Sequence, residues 1–282
     1  MSIVREQAYE ADAGLRPRIG AEGLWSQLAE SLRNPEFWAL SSWLDTIVRA
    51  RKSRFGVLWL ITPSLVYVFG LGSFFAGMHG RSLMQFAAHI AIGAMVFRSL
   101  MSVIIESAGV FSGSYSFIMD GHMRLTDYLM KALAKAFFDM CMYLPVVMVA
   151  LMMYEGVHWK GLLLAPITLL VLYVNAFWIS VVFALAGARF PDIGQLLSNV
   201  AIFLFLLTPI IWYPEQMPAD SPRGQFMRLN PFYHFVTLFR APILGEQVEL
   251  QSVIYIAVMT VVGLVVASLL YRRYARYVPL WI

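Results

Sequence analysis

Apolar residues run in long blocks along this chain, and polar positions gather in the short gaps between them. A helix needs about 20 mostly apolar residues to cross the hydrocarbon of a bilayer. Six blocks meet or approach that length: Phe55 to Gly77, Leu83 to Glu106, Phe137 to Tyr154, Leu162 to Ala188, Leu196 to Trp212 and Ser252 to Tyr271. The pattern predicts an all-α membrane protein whose six transmembrane helices occupy residues 55–282. A further apolar run, Phe232 to Leu244, is bounded by Pro231 and Pro242 and interrupted by His234 and Arg240. It is too short to cross and fits a re-entrant outer segment between spans five and six, following Pro214, Pro218 and Pro222.

Residues 34–54 carry a different period. Phe37, Leu40, Leu44, Ile47 and Val48 recur at helical spacing with Trp38 and Trp43 at the edges, while Ser41, Asp45, Arg49 and Lys52 take the other face. Asn34 suits an N-cap, Pro35 the first helical position and Glu36 the first turn. This predicts an amphipathic helix lying in the membrane interface. Residues 1–33 read as a polar N-terminal tail without the apolar core of a signal peptide.

Composition sharpens the class. The chain is 60% hydrophobic and only 13% charged, against about 25% charged in soluble domains, which excludes a water-soluble enzyme. The net charge of +4 is not gathered on one surface, so it does not point to nucleic acid. Fifteen of the 21 Lys and Arg residues fall on the side of the two termini, five on the other, and Arg98 lies inside a span. The positive-inside rule then makes both termini cytoplasmic. The lone Cys141 excludes a disulfide framework and reads as a small buried hydrophobe.

Candidate chemistry is sparse. There is no phosphate-binding glycine loop, no H-E-x-x-H and no G-x-S-x-G. The five histidines (His79, His89, His122, His158 and His234) share no ligand spacing, so no metal site is expected. Asp139 and Glu106 are the few carboxylates near span ends, which argues against an ion-coupled carrier or channel and for energy supplied by another subunit. Arg98 lies eight residues before Glu106, on nearly the same helix face and about 12 Å away along the axis. It reads either as a gate or anionic-headgroup contact, or as an arginine that snorkels or pairs with a neighbouring helix. Asn175 reads as an interhelical hydrogen bond. Aromatics are dense in two spans: Trp59, Tyr67, Phe69, Phe74 and Phe75 in the first, and Phe203, Phe205, Trp212 and Tyr213 in or beside the fifth. Flat faces with polar tips would let a sugar chain slide, and the same residues also serve membrane packing and interfacial belts.

Several patterns occur together in order. The stretch from Arg49 to Trp59 joins a basic run to Gly56-Val57-Leu58-Trp59; Ala188-Arg189-Phe190-Pro191-Asp192-Ile193 follows the fourth span. Thr208-Pro209-Ile210-Ile211-Trp212, Leu229-Asn230-Pro231-Phe232-Tyr233-His234 and Arg240-Ala241-Pro242-Ile243-Leu244-Gly245 follow the fifth. From about Asn34 to Ile282 the chain resembles the permease subunits of ABC transporters for polysaccharide export, closest to O-antigen and lipopolysaccharide exporters, with capsule and teichoic-acid exporters as near relatives.

The resemblance implies a transport subunit that is not itself an enzyme, located in the bacterial inner membrane. Two copies would form a channel for a lipid-linked, O-antigen-like polysaccharide, each docking a cytoplasmic ATPase subunit that holds ATP and Mg; this chain would bind no cofactor. Arg189, Phe190, Pro191 and Asp192 would form one coupling segment, and Arg124 and Asp127 part of another. The first and fifth spans would face the channel, making their aromatics candidate sugar contacts, while Arg49, Arg51 and Arg54 would join Arg98 as gate or headgroup contacts. A small-lipid or drug exporter is the alternative within the class.

Overall fold

In hydrocarbon no water can pair a free backbone N–H or C=O, so long apolar runs close their hydrogen bonds internally as helices. The computed structural model describes residues 23–52, 56–80, 82–121 and 123–282, and among these every regular element is helical. In chain order they are α1 (Leu24–Arg33), α2 (Glu36–Arg51) and α3 (Val57–Leu65), which runs through a π-helical stretch, Val66–Leu71, into α4 (Gly72–His79). Then come α5 (Leu83–Val110), α6 (Tyr115–Met119), α7 (Leu125–Met152), α8 (Trp159–Arg189) and α9 (Ile193–Leu207). The chain closes with α10 (Pro222–Arg228), α11 (Pro231–Leu244), α12 (Leu250–Tyr274) and α13 (Val278–Trp281).

Five of these stretches are long and apolar enough to cross a membrane: Ile61–Met78 within α3–α4, α5, α7, α8 and Leu250–Trp281. The expected fifth span, Leu196 to Trp212, is different. Its helix, α9, has 15 residues and is ~22 Å long at 1.5 Å per residue, short of the ~30 Å hydrocarbon core. It stops where Pro209 forces Thr208 into extended backbone (φ −90°, ψ 134°), and Thr208 returns its hydroxyl to the Leu204 carbonyl at 2.7 Å. The third long helix starts at Leu125, well before the expected Phe137. Pro242 lies inside the last turn of α11 and does not bound it.

The core is built on α5. From Phe86 to Met101 every residue is buried except Arg98, because α7, α8, α11, α4 and α9 all pack around this helix. At its crossing with α8 a Cβ on Gly187 would sit 1.8 Å from the Ala108 carbonyl oxygen, so only glycine lets the backbones approach. Gly187→Val should separate the two helices, costing about 1–3 kcal/mol or more by overpacking, read as a lower melting temperature of the purified protein. The α8–α12 contact is sealed by the Asn175 amide, which donates to Thr260 Oγ1 at 2.8 Å and accepts from Trp178 Nε1 at 2.9 Å. That is the interhelical role expected of it.

The peripheral helices hold two surprises. Within the stretch read as polar tail, Leu24–Arg33 is an amphipathic helix whose Gln27 accepts from the buried Tyr271 hydroxyl, while Ser31 meets Thr126 at 2.6 Å. Asn34 does not open α2; its side-chain amide donates to the Glu30 carbonyl at 3.2 Å and closes α1. α2 attaches by its small residues, Ser42, Thr46 and Ala50, to α7. Ser42 donates to the Lys131 carbonyl at 3.0 Å. Its apolar Leu40, Leu44 and Val48 face outward, which suits a helix glued to protein on one side and to lipid on the other. Cys141 is half-buried and free.

Candidate functional site

Four regions carry the chemistry. Between the first apolar stretch and α9, the Tyr67 and Phe205 rings meet edge-on at 5.8 Å, and Phe205 meets Phe97 of α5 at 5.4 Å. Phe97 continues the chain to Phe232 of α11 at 4.9 Å. The aromatics expected along a path therefore separate into groups. Tyr67 and Phe205 join an inward aromatic stack, Phe69 and Phe75 are half-buried against the core, and Phe74 and Phe203 stand outward, 64% and 67% exposed. Tyr213 is buried against His89, ring centroids 4.1 Å apart, and Trp212 donates Nε1 to the Leu206 carbonyl at 3.1 Å. The side chain of Trp59, and all of Arg54, lie outside the described residues.

Beside this stack, a cavity of about 370 Å³ opens between the first apolar stretch, α5, α7 and the end of α2. Arg98 and Arg49 both line it. Arg49 donates Nη2 to Asp139 Oδ1 at 2.9 Å, while Glu106 belongs to Lys135. Sequence spacing had set Glu106 on Arg98's face, but Lys135 of α7 takes that carboxylate instead. Arg98 lies over the Tyr143 ring at 5.7 Å, and among the described residues no carboxylate lies within ion-pair distance of it. Arg51 points outward at the end of α2.

At the opposite end from the termini, the three motifs after the fifth apolar block fold onto one another. The Arg240 guanidinium is fully buried; Nη1 donates to the Pro209 carbonyl at 2.7 Å and meets His89 Nε2 at 3.1 Å, and Nε faces Glu246 at 3.3 Å. Burial alone would raise the Glu246 carboxyl; Arg240, supported by His89, outweighs it and holds it at about 2. A second clasp pairs Arg228 with Glu249 through two of its guanidinium nitrogens, Nε and Nη2. His234 bridges the Arg228 carbonyl and Ser252 at 2.8 and 2.9 Å. Asn230 caps α11 by accepting from Phe232 N at 3.0 Å and donates to Thr208 at 2.9 Å. These motifs are thus a polar lock between α5, α9, α11 and the start of α12. Sequence reasoning missed Glu246 and Glu249, which lie in the polar stretch Gly245-Glu246-Gln247-Val248-Glu249 where a carboxylate gives no signal; His89 stands in an apolar run, where an ionisable residue is itself the signal.

The end that carries α1 and the C-terminus holds the coupling candidates. Asp127 is buried and accepts from the Arg124 backbone N–H at 2.9 Å, so it serves the start of α7. Thr126 lies inside that helix, against Ser31. Arg124 pairs with Glu30 of α1. Arg189, Phe190, Pro191 and Asp192 form an exposed turn, with Arg189 over the Phe190 and Trp281 rings at 5.5 and 5.9 Å. α13 packs on both α8 and α6, which brings a segment absent from the sequence reading into the same region. On α6, Tyr115, Phe117 and Met119 are exposed, as is Phe190 nearby at 58%. Large apolar side chains on a polar end of the bundle mark a contact surface.

Residues 36–244 match the ABC-2 type transporter family. The chain belongs to that family. Two polysialic acid transport proteins KpsM of Escherichia coli are 24% and 23% identical over 229 residues, covering 79% of this chain and 88% of each relative. The resemblance to polysaccharide-export permeases, drawn from the motifs, is borne out. As an ABC-2 permease the chain is a multi-pass membrane component that carries no ATPase domain and works with a nucleotide-binding subunit.

Proposed function

We propose that this chain is the membrane subunit of an ATP-driven exporter of a lipid-linked polysaccharide, working as a homodimer in the bacterial inner membrane. The family match over residues 36–244 carries this reading. In this arrangement both termini are cytoplasmic, α9 is a short fifth span and α11 a re-entrant segment. Two ATPase subunits, holding ATP and Mg, engage Arg189–Asp192 and α6. The channel lies along the outward faces of the first stretch and α9, where Phe74 and Phe203 present flat rings to the sugar chain. The π-helical stretch Val66–Leu71, following Pro63, gives the first span a weak point at which it can bend.

An O-antigen-like cargo is the first reading. The relatives' cargo, polysialic acid, favours an acidic surface polymer as the second. Deleting the gene in its native host and extracting surface and intracellular glycans separately tests both. Lipid-linked polymer accumulating inside while surface polymer disappears supports export, and the retained polymer identifies the cargo. Unchanged surface glycan with no accumulation contradicts it.

The path assignment has its own test. Replacing Phe74 and Phe203 together by Ala removes exposed rings worth about 1 kcal/mol of contact each without opening the core. Export rate should fall several-fold with unchanged amounts of folded protein in the membrane. Normal export in the double variant would place the path elsewhere.

A further inference from the structure

Arg98 is the only residue between Phe86 and Met101 that is not buried, and it opens into the cavity beside α2. Among the described residues, the charges around that cavity do not balance. Arg49 and Arg98 face it with one carboxylate, Asp139, and Arg49 takes both oxygens of that carboxylate at 2.9 and 3.4 Å. Lys135 claims Glu106, the next acid along α5. The guanidinium of Arg98 is left with a ring face, Tyr143, and the hydroxyl-bearing walls Ser99 and Ser102. It lies 12 residues from the Val110 end of α5, about 18 Å along the axis. An arginine so deep in a span, with no counter-charge among the described residues, marks a functional position.

We infer that this cavity binds the phosphate of a lipid, with Arg98 as the principal ligand. A planar guanidinium matches two phosphate oxygens at once, and neighbouring hydroxyls satisfy others. Methionine and proline walls, among them Met95, Met140 and Pro63, give a headgroup site continuous apolar contact for the chain attached to it. At about 370 Å³ the space falls at the small end of ligand clefts, which run from about 300 to 1,000 Å³. The assignment of that lipid to the cargo's own anchor rests on the exporter reading; the phosphate site itself does not.

The test uses the full chain with its ATPase partner in lipid nanodiscs and three probes: a polyprenyl diphosphate, phosphatidylglycerol and an uncharged polyprenol. Arg98→Gln should weaken polyprenyl diphosphate binding at least tenfold and leave the uncharged polyprenol unchanged. Asp139→Asn, which releases Arg49 into the cavity, should strengthen it several-fold, a gain that misfolding cannot produce. Preference for the diphosphate identifies the cargo anchor; equal, Arg98-dependent binding of phosphatidylglycerol keeps the phosphate site and makes its occupant a bulk phospholipid. Binding that is absent in the native protein, or unaltered by Arg98→Gln, overturns the inference. Since polymer export in cells is scored separately, a chain that exports polymer but binds neither phosphate lipid loses this site and keeps its function.

Discussion

Replacing Arg240 by Ala should cost about 3–5 kcal/mol of stability, the penalty for breaking a buried charge network by removing one partner. The side chain is fully buried and meets three partners on three segments: Pro209, His89 and Glu246. Without it, the Pro209 carbonyl loses its donor and the Glu246 carboxylate loses its guanidinium at the point where α5, the end of α9 and α11 meet. Arg240→Lys should recover only part of the loss, because one ammonium cannot span all three. Thermal unfolding of the purified protein measures it, and a melting temperature within a degree of the parent's would contradict the lock. The same pair sets a pH dependence. Glu246 is held at about 2 against an ordinary 4.5, so its stabilisation is complete above pH 4.5 and fades as pH falls towards 2. Glu246→Gln should flatten that acid limb.

The second large effect concerns the opposite end. Phe117 and Phe190 are 59% and 58% exposed, on α6 and on the turn after α8. Changing either to Asp removes no buried contact, so stability should move by no more than about 0.5 kcal/mol. Binding of the ATPase subunit should fall sharply. Aromatic anchors at the centre of an interface are worth about 2 kcal/mol or more, a loss of roughly thirtyfold in affinity. Affinity capture of the ATPase subunit by the solubilised permease reads it, alongside the melting temperature. Unchanged capture by both variants would move the docking surface away from α6 and Arg189–Asp192.

Legibility in the sequence followed hydropathy, not burial. Long apolar blocks need no partner to be recognised as helices, which is why α5, α8 and α12 stood out with nearly their observed limits. α9 was overextended because Ile210, Ile211 and Trp212 are as apolar as the helix before them, and only the geometry imposed by Pro209 ends it. α1 was hidden because its attachment is made by polar groups, Gln27 and Ser31, that a hydropathy pattern discounts. For the site, the three motifs after the fifth apolar block were visible as motifs while their chemistry was not. The partners of Arg240 lie 151 residues upstream at His89 and six residues downstream at Glu246, and no local spacing reports such a meeting. Arg98 was conspicuous, but its freedom from Glu106 depends on Lys135 of another helix.

The most direct measurement is transport by the purified parts. The permease and its ATPase subunit are reconstituted in proteoliposomes with a fluorescent lipid-linked glycan, and the glycan on each face is quantified with and without ATP. The expected result is movement that needs both proteins and ATP and that slows in the Phe74→Ala, Phe203→Ala double variant. Movement by the permease alone without ATP, or ATP-driven movement of small lipids with none of the glycan, would contradict it.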